Sequence, residues 1–273
     1  MAIGGAALTW PAGPGEVAGL KRRRGAGMGI GVRVYGLGAV VLGLVGLAFA
    51  DFALQWQPVP KDLQPHMALA YASAALLLLA GLAANLPRWA ALGAGVLAAF
   101  YGVWVVALHG PIVAAHPARF IGWQGMAEIL AMASGGLMAF AGLARIDARL
   151  ARALRLAGRL AFGACLLVFG VSHVLYAKFT AAMVPTWIPP SPMFWAYATG
   201  LGHFAAGLAI LSGVQARLAA RLLTLMFAAF VVTLHAPLVA ASPHSQLNWI
   251  MLAITLALTG AAWCVAEEVG GGR

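Results

Sequence analysis

Eight apolar runs, each long enough to cross a bilayer, follow one another along the chain, at about residues 33–50, 67–86, 90–109, 123–143, 160–177, 193–213, 218–236 and 247–266. A spanning helix needs roughly 20 mostly apolar residues. Lipid offers no partner for open backbone N–H and C=O groups, and the strand alternation of a barrel is absent, so the runs must be helices. With 63% hydrophobic and 9% charged residues, the chain lacks the charge to cover the surface of a soluble domain of 273 residues. The predicted fold is therefore all-α, a polytopic membrane protein of eight transmembrane helices. Its partner is the lipid bilayer.

The net charge of +10 raises the question of nucleic acid. Position answers it. Lys21, Arg22, Arg23, Arg24, Arg33, Arg88, Arg145, Arg149, Arg152, Arg155, Arg159, Arg217, Arg221 and Arg273 all fall on one side of the predicted membrane, and only Lys61, Arg119 and Lys178 on the other. That is the positive-inside pattern, with both termini cytoplasmic, and not a nucleic-acid surface. Residues 1–28 read as a disordered cytoplasmic N-terminal tail, with Met28 an alternative start, 145–158 as a basic cytoplasmic linker and 268–273 as a C-terminal tail. Cys165 and Cys264 lie inside apolar runs with no zinc or CxxC spacing, and read as buried thiols.

The two halves, 29–144 and 159–267, share a pattern. VVALHGPIVAAHP (105–117) and VVTLHAPLVAASP (231–243) are identical at nine of 13 positions, offset by 126 residues. The same offset pairs Tyr71-Ala72-Ser73 with Tyr197-Ala198-Thr199, and Trp123 with Trp249; one residue more pairs Gly36 and Gly43 with Gly163 and Gly170. The expectation is two tandem four-helix repeats, entering the membrane the same way round and forming two parallel bundles.

With that orientation, histidines gather toward the outer side. His109 and His235 sit at the predicted ends of spans 3 and 7, each followed by a proline, Pro111 or Pro237. The proline ends or kinks the helix, and the imidazole either bonds a freed carbonyl or faces an outer cavity. His173 falls in the outer third of span 5, His203 near the middle of span 6, and Glu128 inside span 4. Ionisable groups are costly in lipid and mark bundle interiors. Glu128 reads either as a proton-handling group or hydrogen-bond acceptor paired with a histidine such as His109, or as an interfacial carboxylate snorkelling to water. Prolines and tryptophans of the outer loops (Trp56, Pro58, Pro60; Pro185, Trp187, Pro189, Pro190, Pro192) read as interfacial belt or lids. No metal-ligand spacing, Ser/His/Asp order or phosphate loop is present.

Gly170-Val-Ser-His173, Met183-Val-Pro-Thr-Trp-Ile-Pro189, Thr199-Gly200-Leu-Gly-His203, Asp51-Phe-Ala53 with Trp56-Gln-Pro-Val-Pro60, and Trp123-Gln-Gly-Met-Ala-Glu128 together resemble the DoxX family of bacterial four-helix membrane proteins. Two departures stand out: His203 replaces a glutamate frequent in the family, and the family unit is usually single. The resemblance implies a bacterial cytoplasmic (inner) membrane location and an accessory or quinone-interacting role in a periplasm-facing redox system. His109, Glu128, His173, His203 and His235 would be the candidate quinone or proton site. Quinone would be the cofactor, and a soluble or membrane oxidoreductase subunit the partner. The alternatives are a small-solute or proton-coupled transporter, for which spans interrupted mid-membrane are not expected here, and a structural membrane partner without chemistry.

Overall fold

The computed structural model describes residues 29–269. The tail expected over 1–28, with the Lys21–Arg24 cluster, and residues 270–273 lie outside the described residues. Eight helices are long and apolar enough to cross a membrane: α1 (Ile30–Phe49), α2 (His66–Asn85), α3 (Ala90–Ala115), α4 (Phe120–Leu143), α5 (Ala148–Leu175), α6 (Pro192–Ser212), α7 (Ala216–Ala241) and α8 (Gln246–Val269). A 3-10 turn, Leu54–Trp56, lies between α1 and α2, and a short helix, Ala177–Met183, between α5 and α6. No strand occurs among the described residues.

Three boundaries differ from the sequence expectation. Most of the basic linker is helix: Asp147 accepts hydrogen bonds from the Arg149 and Leu150 amides (2.9 and 3.2 Å), which starts α5 at Ala148 rather than near residue 160. The helices α3 and α7 run past His109 and His235 to Ala115 and Ala241. Each widens into a π turn, Trp104–His109 and Val231–His235, in which Gly110 N–H bonds Val105 O and Ala236 N–H bonds Val231 O. A proline in a regular helix loses its own hydrogen bond and strikes the carbonyl four residues back. Widening the turn shifts that carbonyl aside, so Pro111 and Pro237 are accommodated without ending the helix.

Small residues set the packing. Gly36 and Gly81 bring α1 against α2, and Gly163 and Gly207 bring α5 against α6; a Cβ on Gly81 would lie 2.6 Å from Gly36 O, and one on Gly207 2.9 Å from Gly163 O. Gly43 meets Ala74 O and Leu78 N, while Gly170 meets Gly200 O and Phe204 N. Close backbone approach through glycine replaces the missing hydrophobic drive between helices in lipid.

The four-helix halves do not close separately. The partner of α1, besides α2, is α8, and α5 packs on α4 as well as on α6. Gly38 fits against Ala257 of α8, Gly260 of α8 against the Tyr35 backbone, and Gly135 of α4 against Ala261 of α8. The result is two rings, α1-α2-α3-α4-α8 and α5-α6-α7-α8-α4, sharing the α4–α8 pair. Those two shared helices are the most buried. At the end opposite the histidines, Glu267 caps α1 through Gly31 N–H (3.3 Å), and Arg155 reaches Ala141 O (3.2 Å) and Glu268 (3.5 Å).

Candidate functional site

The ring α5-α6-α7-α8-α4 encloses a cavity of about 1130 Å³. His109, Glu128, His173, His203 and His235, scattered over five helices, all line it. Most of the remaining wall is apolar, including Phe169, Phe227, Phe230, Met251 and Leu258. The lining of α7 runs from Leu222 to Leu234 and His235. The thirteen steps from Leu222 to His235, at about 1.5 Å each, make a slot about 20 Å long, two-thirds of a hydrocarbon core of about 30 Å. Leu222 and Leu225 line the slot and are nonetheless 56% and 66% exposed. The slot is therefore open along the α7 side to the surroundings of the bundle.

Two polar clusters meet the cavity. In the first, Ser172 of α5 donates to Gln124 Oε1 (2.5 Å), and Gln124 Nε2–H donates to Glu128 Oε1 (3.3 Å). Trp56 Nε1–H donates to the other oxygen, Glu128 Oε2. His109 Nε2–H donates to Trp56 O at 3.1 Å. A carbonyl can only accept, so in the neutral ring Nδ1 carries the lone pair; that edge of the ring lies beside Gly125. His109 is thus 3% exposed and bonds neither Glu128 nor a carbonyl freed in its own helix. Trp56 joins the two instead. No ion pair reaches Glu128 among the described residues.

In the second cluster, the His173 and His203 rings lie 4.8 Å apart. His173 Nδ1 faces Ala196 O (3.1 Å) and Thr199 Oγ1 (3.0 Å), and the Thr199 hydroxyl hydrogen is directed to Trp195 O (2.6 Å). Both contacts accept, so Nδ1 holds the proton and Nε2 is left as an acceptor. His203, 2% exposed, is held by Phe169 and Phe227 at ring distances of 5.6 and 5.4 Å. His235, on the π turn of α7, is 6% exposed, and its buried Nδ1 has no hydrogen-bond partner. Toward the mouth lie the exposed His116 and Arg119.

Trp123 and Trp249 play a different part from the histidines. Their indoles donate to Pro117 O (3.0 Å) and Pro243 O (2.8 Å), pinning each loop to the start of the next helix. Sequence reasoning missed Trp56, which is buried against Glu128 and is not part of an interfacial belt, and it missed Gln124, Ser172 and Thr199. The last three lie within the motifs quoted for the family resemblance, but as single hydroxyls and amides in apolar runs they carried no sign of a role of their own.

Chemically, this is an apolar slot with hydrogen-bond donors and acceptors toward its histidine end and no fixed cation among them. Among the described residues no group of three or more His, Cys, Asp or Glu side chains is arranged to hold a metal ion. Residues 154–236, from α5 through His235 of α7, match the DoxX family model. No curated protein and no solved structure matches the chain. Of the five histidines that line the cavity, the match covers His173, His203 and His235, and it is consistent with a DoxX-family membrane protein.

Proposed function

We propose that this protein is an inner-membrane quinone-binding subunit, with both termini cytoplasmic and its histidine-rich end toward the periplasm, serving a redox partner. The observation that carries this reading is the slot itself: long, apolar, open along α7, with a buried and unpartnered His235 Nδ1 and the Nε2 lone pair of His173 at the polar end. A molecule drawn from the lipid phase, with a flat carbonyl-bearing head and a hydrocarbon tail, matches those properties. Phe169, Phe227 and Phe230 supply stacking surface for the head, and the imidazoles exchange protons with it. A quinone would accept two electrons and two protons there. No redox-active cysteine pair or other built-in electron carrier is present in the sequence, so the electrons must come from an oxidoreductase subunit. The positive-inside distribution supports the orientation, and the matched glycine contacts of α1–α2 and α5–α6 support descent from a duplicated four-helix unit.

The test is direct. Protein reconstituted in nanodiscs is titrated with decylubiquinone, following tryptophan quenching, while organic extracts of the purified protein are analysed for bound quinone. Saturable binding, weakened in His203→Leu, is the expected outcome. The absence of both retained quinone and saturable binding would refute the reading. The π turns of α3 and α7 favour a second reading, proton-coupled transport, because such bulges concentrate at functional sites. Proton-dependent solute flux in vesicles, lost in His203→Leu, would select it.

A further inference from the structure

The cavity has a counterpart in the other ring. The glycine contacts put α1–α2 and α5–α6 in the same register: Gly36 with Gly81 as Gly163 with Gly207, and Gly43 with Ala74 and Leu78 as Gly170 with Gly200 and Phe204. In that register Gly46 stands where His173 stands, Val45 where Ser172 does, Ser73 where Thr199 does, and Leu77 where His203 does. Around these residues the space is about 10 Å³, too little for anything beyond a water molecule, against about 1130 Å³ in the second ring.

Three substitutions and one loop account for the difference. Leu77 is a buried core side chain, 2% exposed, where the second ring has an imidazole. The small residue changes helix. Ala74 of α2 sits on Gly46 of α1, whereas His173 of α5 sits on Gly200 of α6. Glycine on α6 is what lets α5 carry an imidazole at that level. The α1–α2 connection then folds inward, burying Phe52, Trp56 and Gln57. Gln57 Nε2–H donates to Ser73 Oγ (2.7 Å), the same kind of bond that His173 Nδ1–H gives Thr199. The α5–α6 connection instead forms the helix Ala177–Met183, whose Phe179, Thr180 and Met183 line the open cavity.

We propose that the chain binds one ligand molecule, not two: the site lies in the second ring alone, and the first-ring counterpart is sealed by its own Gln57 and Leu77. The seal has a second use, because its Gln55, Trp56 and Pro58 form part of the second ring's wall, with Trp56 on Glu128. One half has become the scaffold of the other's site.

This inference rests on the ligand-binding reading above, and one experiment separates the two. Nanodisc-reconstituted protein is titrated with decylubiquinone to obtain the number bound per chain. A photoreactive azidoquinone is then crosslinked, and the labelled peptides are identified by mass spectrometry. One equivalent per chain is expected, with label confined to residues 109–128, 169–203 and 222–258 and to the Gln55–Pro58 wall. His203→Leu should weaken binding by roughly tenfold or more, and Gln57→Leu should leave the stoichiometry at one. Two equivalents, or label on Leu42–Gly46 or Ser73–Leu77, would overturn the one-site inference and leave quinone binding standing. No saturable binding at all would overturn both. Because the wild-type stoichiometry and labelling need no variant, poor folding of His203→Leu does not blunt the test.

Discussion

Two glycines of α6, two residues apart, are expected to answer the same substitution with opposite signs. A Cβ added at Gly200 would lie 2.7 Å from the His173 Cβ and 3.4 Å from Gly170 O. A relaxed carbon–carbon contact is about 3.5–4.0 Å, so α5 and α6 must part by most of an ångström at a point where both sides are backbone-proximal. Overpacking of this kind costs about 1–3 kcal/mol, offset by about 1 kcal/mol of better helix propensity. Gly200→Ala should therefore destabilise the fold by about 0–2 kcal/mol. At Gly202 the added atom would meet only the Met226 thioether, Sδ at 3.4 Å and Cε at 3.9 Å. That is ordinary contact with the flexible end of a side chain, so propensity alone acts and Gly202→Ala should stabilise by up to about 1 kcal/mol. The gap between the two variants, about 1–3 kcal/mol, is then the steric cost at Gly200. Unfolding in mixed micelles, titrated with SDS and followed by far-UV circular dichroism, measures both. A second readout is independent: Gly200→Ala pushes His173 off Ala196 O and Thr199 and should weaken decylubiquinone binding, and Gly202→Ala should not. Stabilities equal within about 0.5 kcal/mol, or Gly202→Ala as the less stable variant, would refute the packing described for α5 and α6.

Trp56→Phe keeps an aromatic ring in the buried plug but removes the N–H that bonds Glu128 Oε2. Leaving one partner of a buried hydrogen bond unsatisfied costs about 1–3 kcal/mol, so a loss of that size is expected in the same unfolding titration, and an unchanged midpoint would show that the indole bond carries no weight. Tyr101→Phe deletes a hydroxyl that is buried without a hydrogen-bond partner and leaves the ring edge-on to Trp104 at 5.3 Å. Stability should be unchanged or higher by up to about 1 kcal/mol; a clear loss would mean that the hydroxyl is bonded.

The span count and the helical class were legible in the sequence because lipid leaves hydropathy almost the only variable that matters. His109, Glu128, His173, His203 and His235 were legible as a set for the same reason: ionisable groups in apolar runs stand out. Their convergence on one cavity was not legible. It depends on α1 choosing α8 and α5 choosing α4, and glycine contacts such as Gly38 with Ala257 carry no label naming the partner. The sequence left Pro111 and Pro237 as either helix ends or kinks; the helices continue because the turn before each proline widens, and nothing local announces that widening. Trp56 was misjudged because composition places tryptophan at the interface, while its neighbour Gln57, drawn in by Ser73, pulls the segment inward.

The α4–α8 pair at the seam of the two rings also bears on how such a fold is made. During membrane insertion α1 enters long before α8, yet α8 is one of its two main neighbours, so α1 must hold its glycine-notched face, Gly31 and Gly38, open until most of the chain has followed. Splitting the polypeptide between α4 and α5 would leave each fragment with an unmatched first helix and an unmatched last one. Neither fragment could settle alone, and the pair would have to find each other in the bilayer. A free four-helix unit with this packing could complete its ring by pairing with a second copy about a twofold axis running between the two last helices, as α4 and α8 lie side by side here. In this chain the segment between α4 and α5 makes that association permanent.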